Sequence, residues 1–315
     1  MKKRVVTAII LAIILIPLIF VKALFPLLQV IIILFCGIAT MEMINMCQQK
    51  KKIPIGVRVL IVLSTILIYL GIVNEDPSCQ SSLVTEIMDH FEFKLSIITT
   101  LTITAALIFS CQVFVKDFDA TDVGSCLMMI LYIALGFSSL TILLFNGMRF
   151  IIYLLIICIC TDVFAYLFGI RFGKHKMVPH ISPKKTWEGA LGGTFFGTLI
   201  GSLFAIFYES FSGYFVANGD AGEFFFGVFD FDNVSTAVNV IMIIGLSFVL
   251  SVFSQIGDLV ASKFKRTYEI KDFSQVFPGH GGILDRFDSM LFSSIVFLCF
   301  ITVVRVAMPI LSGVF

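Results

Sequence analysis

The sequence predicts an all-α, polytopic integral membrane protein of about nine transmembrane helices, with the N-terminus cytoplasmic and the C-terminus outside. Three observations carry this. Of 315 residues, 58% are hydrophobic and only 14% charged, where a soluble domain is about half apolar and about a quarter charged. The apolar residues fall in runs of roughly 20, the length of helix that crosses the hydrocarbon core. Lys and Arg collect in alternate loops, as they do on the cytoplasmic side of a membrane.

Met1-Lys2-Lys3-Arg4 precedes the first run, at about 5–21. A basic start before an apolar run also opens a secretory signal. No small-x-small cleavage site follows, however, and a second run begins almost at once, so an uncleaved first helix is expected. It pairs in a tight hairpin around Lys22-Ala23 with a second span at about 24–46. Further spans are expected at about 57–74, 95–115, 124–145, 149–170, 188–208, 235–261 and 289–310.

Lys2, Lys3 and Arg4 precede span one; Lys50, Lys51, Lys52 and Arg58 lie between spans two and three. Arg171, Lys174, Lys176, Lys184 and Lys185 separate six from seven, and Lys263, Lys265, Arg266, Lys271 and Arg286 separate eight from nine. All four groups fall on one side of the membrane. The opposite side receives 74–94 and 209–233, rich in acids and poor in Lys and Arg. Aromatic residues there, as in Gly222-Glu223-Phe224-Phe225-Phe226, are expected at the headgroup level. The chain reads as one membrane-embedded domain over 1–315, with scaffold helices in 1–145 and catalytic helices and loops in 149–310. Eight cysteines lie mostly inside apolar runs without a CxxC pair, which indicates neither a zinc site nor a disulfide framework. No nucleic-acid partner is expected.

Polar residues at membrane depth are costly and mark function. They concentrate in two inner loops. The first region begins in span six, where Asp162 and Tyr166 share a helical face at i, i+4. It continues through Ser182-Pro183-Lys184-Lys185-Thr186-Trp187-Glu188-Gly189. Ser182 as N-cap and Pro183 at the first helical position would open span seven with free N–H groups and two lysines, an anion site. A basic loop that only sets topology accounts for the lysines equally well. The glycines of span seven (Gly189, Gly192, Gly193 and Gly197) favour close helix packing, and Trp187 is expected as an interface anchor.

The second region runs from Asp258 through Ser262, Lys265, Arg266, Lys271 and Asp272 to Gly279-His280-Gly281-Gly282-Ile283-Leu284-Asp285-Arg286-Phe287-Asp288. Asp258, Ser262 and Lys265 recur at i, i+4, i+7 on one helical face, and Asp285 and Asp288 are three apart. Three carboxylates, Asp258, Asp285 and Asp288, are expected to converge at the cytoplasmic surface. Oxygen ligands without Cys or His suit Mg²⁺, which shares its coordination with substrate phosphates. Gly281 and Gly282 would let backbone N–H groups approach those phosphates.

The stretch from Ser262 to Asp288 resembles the signature of the phosphatidate cytidylyltransferase (CDP-diacylglycerol synthase) family: Ser-x-apolar-Lys-Arg, four residues, Lys-Asp, then His-Gly-Gly-apolar-x-Asp-Arg-apolar-Asp. Asp162-x-x-Ala165-Tyr166 and Ser182-Pro183-Lys184-Lys185-Thr186-x-Glu188-Gly189 are similar to that family's as well, and the nine-helix plan covers the chain. Phe273, where some relatives carry a smaller residue, is a mild departure. The resemblance implies transfer of a cytidylyl group from CTP to phosphatidic acid, a magnesium site at Asp258, Asp285 and Asp288, and a homodimer. A second cation, such as K⁺, would share Asp288.

On this reading Lys265, Arg266 and Arg286 bind the triphosphate, and Lys184 and Lys185 hold either phosphate. His280 donates a hydrogen bond to the leaving group, and Asp162, Ser182, Ser262, Lys271, Asp272, Gly281 and Gly282 line the substrates. The protein is expected in the cytoplasmic (inner) membrane among its lipid substrates, with the site facing the cytoplasm. Two other readings stand beside it, a CTP-dependent kinase of a polyprenol or phytol and an ion-coupled transporter. The transporter would show paired broken helices or internal symmetry, and the sequence has neither.

Overall fold

The computed structural model describes residues 13, 16–91, 96–208, 210, 224–225, 236–276 and 281–312. Eight helices among them are long and apolar enough to cross a membrane. Numbered in chain order with one short helix, α3 (Leu83–His90), they are α1 (Phe25–Cys47), α2 (Ile55–Glu75), α4 (Ile97–Phe114), α5 (Ala120–Asn146), α6 (Met148–Phe172), α7 (Trp187–Ile206), α8 (Thr236–Thr267) and α9 (Leu284–Ser312). The chain is an all-α polytopic membrane protein. The expected first span lies largely outside the described residues, as do Gly279 and His280.

Two elements differ from expectation. The loop after α2 folds into α3, whose start is capped by Ser82 Oγ accepting the Thr85 N–H at 3.2 Å. The basic loop after α6 is an antiparallel hairpin, β1 (Lys176–Val178) with β2 (Ser182–Thr186), in which Lys176 faces Thr186 and Val178 faces Ser182. Ser182 and Pro183 therefore do not cap span seven. Proline is tolerated in such a ribbon, where its missing N–H faces away from the ladder. The cap is Thr186, whose hydroxyl accepts the Gly189 N–H at 3.2 Å.

The chain divides into two compact units, Met1–Phe145 with Phe264–Phe287, and Asn146–Lys263 with Asp288–Phe315. In the first unit Met43, Ile61, Ile68, Tyr69, Ile133 and Phe137 are buried, and Tyr69 is tied to Thr141 by a 2.9 Å hydroxyl bond. Lys51, in the loop after α1, pairs with Asp119 at 3.2 Å and with Asp122. The α1–α2 and α4–α5 loops thus lie at the same end of the unit.

In the second unit α7 lies on α6 at backbone distance. A Cβ at Gly193 would meet the Thr161 carbonyl oxygen at 2.6 Å, and one at Gly197 would meet Thr161 Oγ1 at 2.2 Å. Lipid provides no hydrophobic drive between helices, so close contact of small residues and hydroxyl bonds hold them. The bonds here are Thr161–Ser251 at 2.6 Å and Tyr153–Ser247 at 2.7 Å.

The outer aromatics are not headgroup anchors where they are described. Phe224 and Phe225 are buried against Phe150, and the Phe224 carbonyl accepts from Arg149 Nε at 2.6 Å. The buried Arg149 needs an acceptor, and the Phe224 carbonyl supplies one.

Candidate active site

The first unit holds the glycine loop. Lys265, near the end of α8, pairs with Asp285, on the first turn of α9, at 2.9 Å; both side chains are largely buried, 13% and 6% exposed. The other Asp285 oxygen accepts the backbone N–H of Phe273 at 2.8 Å and of Gly282 at 3.0 Å. One carboxylate therefore joins the end of α8, the connecting loop and the start of α9. An ionised carboxylate has about four acceptor positions, and three are taken. Phe273 lies under the Lys265 ammonium, 5.2 Å from the ring centre, so this departure from the signature is used as a cation–π floor.

Gly281 adopts φ +84°, and a Cβ there would stand 2.8 Å from Asp285 Oδ2; glycine alone meets both demands without strain. A Cβ at Gly282 would stand 2.4 Å from Glu42 Oε1. Glu42, on α1, is 2% exposed and accepts the N–H groups of Ile283 and Leu284, each at 2.9 Å. Its Oε1 also takes the Ser274 hydroxyl. Lys271, Asp272, Arg266 and Arg286 lie at the surface of this unit.

The second unit holds a polar cluster at the hairpin end of α6, α7 and α8. Lys185, half-buried on β2, forms an ion pair with Asp258 of α8. Lys184, on the opposite face of the strand, is exposed. Asp162 on α6 is exposed beside Tyr166 and lies within electrostatic range of Asp258 and Lys185. A Cβ at Gly257 would stand 3.0 Å from the Asp288 carbonyl oxygen and 2.7 Å from Phe292 Cβ. That close crossing puts Asp258 and Asp288 at adjoining positions on α8 and α9. Asp288 is buried, and its Oδ1 accepts the Ser289 N–H at 2.8 Å. Glu188, in the first turn of α7, accepts the N–H groups of Lys174 and His175 and the His175 ring at 2.6 Å, which fixes the hairpin to the helix it precedes. Ser182 and Ser262 are half-buried and Trp187 is exposed.

Among the described residues neither unit gathers three His, Cys, Asp or Glu side chains as a metal cage. Asp258 on α8 and Asp288 on α9 carry oxygen donors, the ligand type that Mg²⁺ takes.

Sequence reasoning missed Glu42, the Thr186 cap, the Glu188 brace and the Gly257 crossing. Glu42 carried a signal, since it is an acid in an otherwise apolar span, which by default marks function. The others depend on which backbone comes close, and single-chain spacing does not report that.

Each unit thus combines membrane helices with cationic and carboxylate side chains at helix and loop ends. The model of the cytidylyltransferase family matches residues 2–304, and the chain belongs to that family. Its sequence is 38% identical over 187 residues to the phosphatidate cytidylyltransferase of Staphylococcus aureus (strain COL), covering 59% of this chain and 62% of that one. It is 36% identical over 175 residues to the enzyme of that name from Staphylococcus haemolyticus (strain JCSC1435), covering 56% and 57%. With Staphylococcus epidermidis (strain ATCC 12228 / FDA PCI 1200) the figures are 36% over 187 residues, covering 59% and 62%. The chain thus spans about three fifths of the length of the curated relatives it matches.

Proposed function

We propose that this chain transfers the cytidylyl group of CTP to phosphatidic acid, releasing pyrophosphate and leaving CDP-diacylglycerol in the membrane. The observation that carries the reading is the Lys265–Asp285 pair closed over by Gly281 and Gly282, within the stretch that resembles the family signature. The names of the Staphylococcus relatives supply the acceptor.

A phosphate monoester is ionised at neutral pH, its second pKa being about 6, so the acceptor brings its own nucleophile. One of its oxygens attacks the α-phosphorus of CTP. The bond from that phosphorus to the bridging oxygen of the β-phosphate breaks, and pyrophosphate leaves with the electron pair. No strong general base is required, and catalysis reduces to positioning and charge neutralisation.

Lys184 and Lys185 hold phosphate at the hairpin; Lys185 exchanges its Asp258 partner for a phosphate oxygen. Arg266 and Arg286 extend into solvent to meet the triphosphate, and Lys265 keeps the glycine loop closed through Asp285. Ser182, Ser262, Lys271 and Asp272 bind the substrates, and His280 donates to the leaving group. The family resemblance names Asp258, Asp285 and Asp288 as the residues that would hold Mg²⁺. The ion, when bound, neutralises charge on the phosphates. A K⁺ ion shared by Asp288, a homodimer, and a site on the cytoplasmic face of the inner membrane complete the proposal.

Purified protein in detergent, given CTP, Mg²⁺ and phosphatidic acid, is expected to yield pyrophosphate and CDP-diacylglycerol in equal amounts, both lost on chelation. CDP release with an isoprenoid alcohol, and no product from phosphatidic acid, would assign the chain to a lipid kinase instead.

A further inference from the structure

We infer that Glu42, on the first described membrane helix, is a positioning residue for the glycine loop and sets the first turn of α9, and through it Asp285. The inference rests on the transfer reaction proposed above. Four observations on the first unit support it. Glu42 is 2% exposed, yet among the described residues its side chain accepts only from one short stretch more than 230 residues away in sequence. It accepts the Ile283 and Leu284 N–H groups at 2.9 Å with separate oxygens. Those groups open α9, where the first N–H groups lack helical partners and the helix dipole favours negative charge.

Ser274, in the stretch that follows α8, donates its hydroxyl to the same carboxylate. Gly282 leaves no room for a side chain because Glu42 occupies it, with a Cβ meeting Oε1 at 2.4 Å and Cδ at 2.7 Å. The second glycine of the signature is thus required by the protein's own carboxylate.

A carboxylate buried among apolar neighbours is retained only where its acceptors are filled. Here the filled acceptors lie directly before Asp285, whose Oδ2 takes the Gly282 N–H from the same turn. Glu42 acts by fixing the backbone that presents Asp285.

The test compares full-length Glu42→Gln, Glu42→Asp and Glu42→Ala with wild type, by steady-state kinetics and by amide hydrogen exchange. A glutamine keeps one acceptor but turns an N–H₂ toward a backbone donor. The expected result is a kcat reduced about 10–100-fold in Glu42→Gln, the usual cost of losing a supporting partner, with KM for CTP within about threefold of wild type. Glu42→Asp should recover part of kcat. Exchange should rise at Ile283 and Leu284 while the amides of Ser247–Gln255 stay protected. Unchanged kcat and unchanged exchange at Ile283 and Leu284 would overturn the inference. So would loss of protection throughout the chain, which would make Glu42 an ordinary core residue. Should wild type not form CDP-diacylglycerol, the functional reading fails by itself, and the exchange pattern still decides the role of Glu42.

Discussion

Replacing Gly197 by alanine tests whether α7 is held against its neighbours at backbone distance. The added Cβ would stand 2.2 Å from Thr161 Oγ1, 2.8 Å from Ser251 Oγ and 3.3 Å from Thr161 Cβ, where carbons in contact sit at about 3.5–4.0 Å. Both hydroxyls belong to one bond, Thr161–Ser251 at 2.6 Å, and neither short side chain can swing clear. Either the helix backs off by roughly 1 Å or the bond breaks. Overpacking costs about 1–3 kcal/mol and the lost interhelical bond about 0.6 kcal/mol. Removing a helical glycine returns up to about 1 kcal/mol, so the net loss is about 1–3 kcal/mol.

Trp187 is the only tryptophan and opens α7, so its fluorescence follows unfolding of the purified protein in detergent. The midpoint should fall by roughly 2–10 °C. Gly245→Ala is the control, since a Cβ there meets nothing within 4 Å; its midpoint should hold or rise. Equal midpoints for the two variants would refute the packing argument.

Asp285→Asn removes the charge facing Lys265 in a largely buried pair, a change that costs about 3–5 kcal/mol where the pair is fully buried. Turnover should drop by about 100-fold or more while the protein still extracts and folds, and normal activity would sink the assigned role. Cys79 is fully buried outside the spans, and desolvation, with Asp76 nearby, pushes its thiol up to about 12. Below that pH the thiol stays neutral, with roughly one part in 10⁴ as thiolate at pH 8. It should resist maleimide in the folded protein and react once unfolded; prompt labelling of the native chain at Cys79 would contradict the burial.

Much of the fold was legible because lipid imposes simple rules. A run such as 124–145 must be helical to satisfy its backbone, and α5 covers it within a few residues at each end. The hairpin was not legible, because Ser182-Pro183 before an apolar run satisfies helix-start chemistry as well as strand chemistry, and contact with α6 decides between them. Gly173 and Gly189 both pack on Thr186, which makes Thr186 the cap.

The site was legible in its residues but less so in their duties. Gly281 and Gly282 were assigned to phosphate from spacing, whereas their immediate neighbours are Asp285 and Glu42. Asp285 looked like a free ligand and carries three donors. Phe224 and Phe225 looked interfacial because sequence does not show that Arg149 needs their loop.

The central claim is that the α-phosphorus of CTP is the centre attacked. It is tested most directly by giving the purified protein, in vesicles containing phosphatidic acid, CTP labelled in turn at the α- and γ-phosphates. The account predicts that α-label enters the lipid extract and γ-label leaves only as pyrophosphate. Label from the γ-position in the lipid, with CDP in solution, would contradict it.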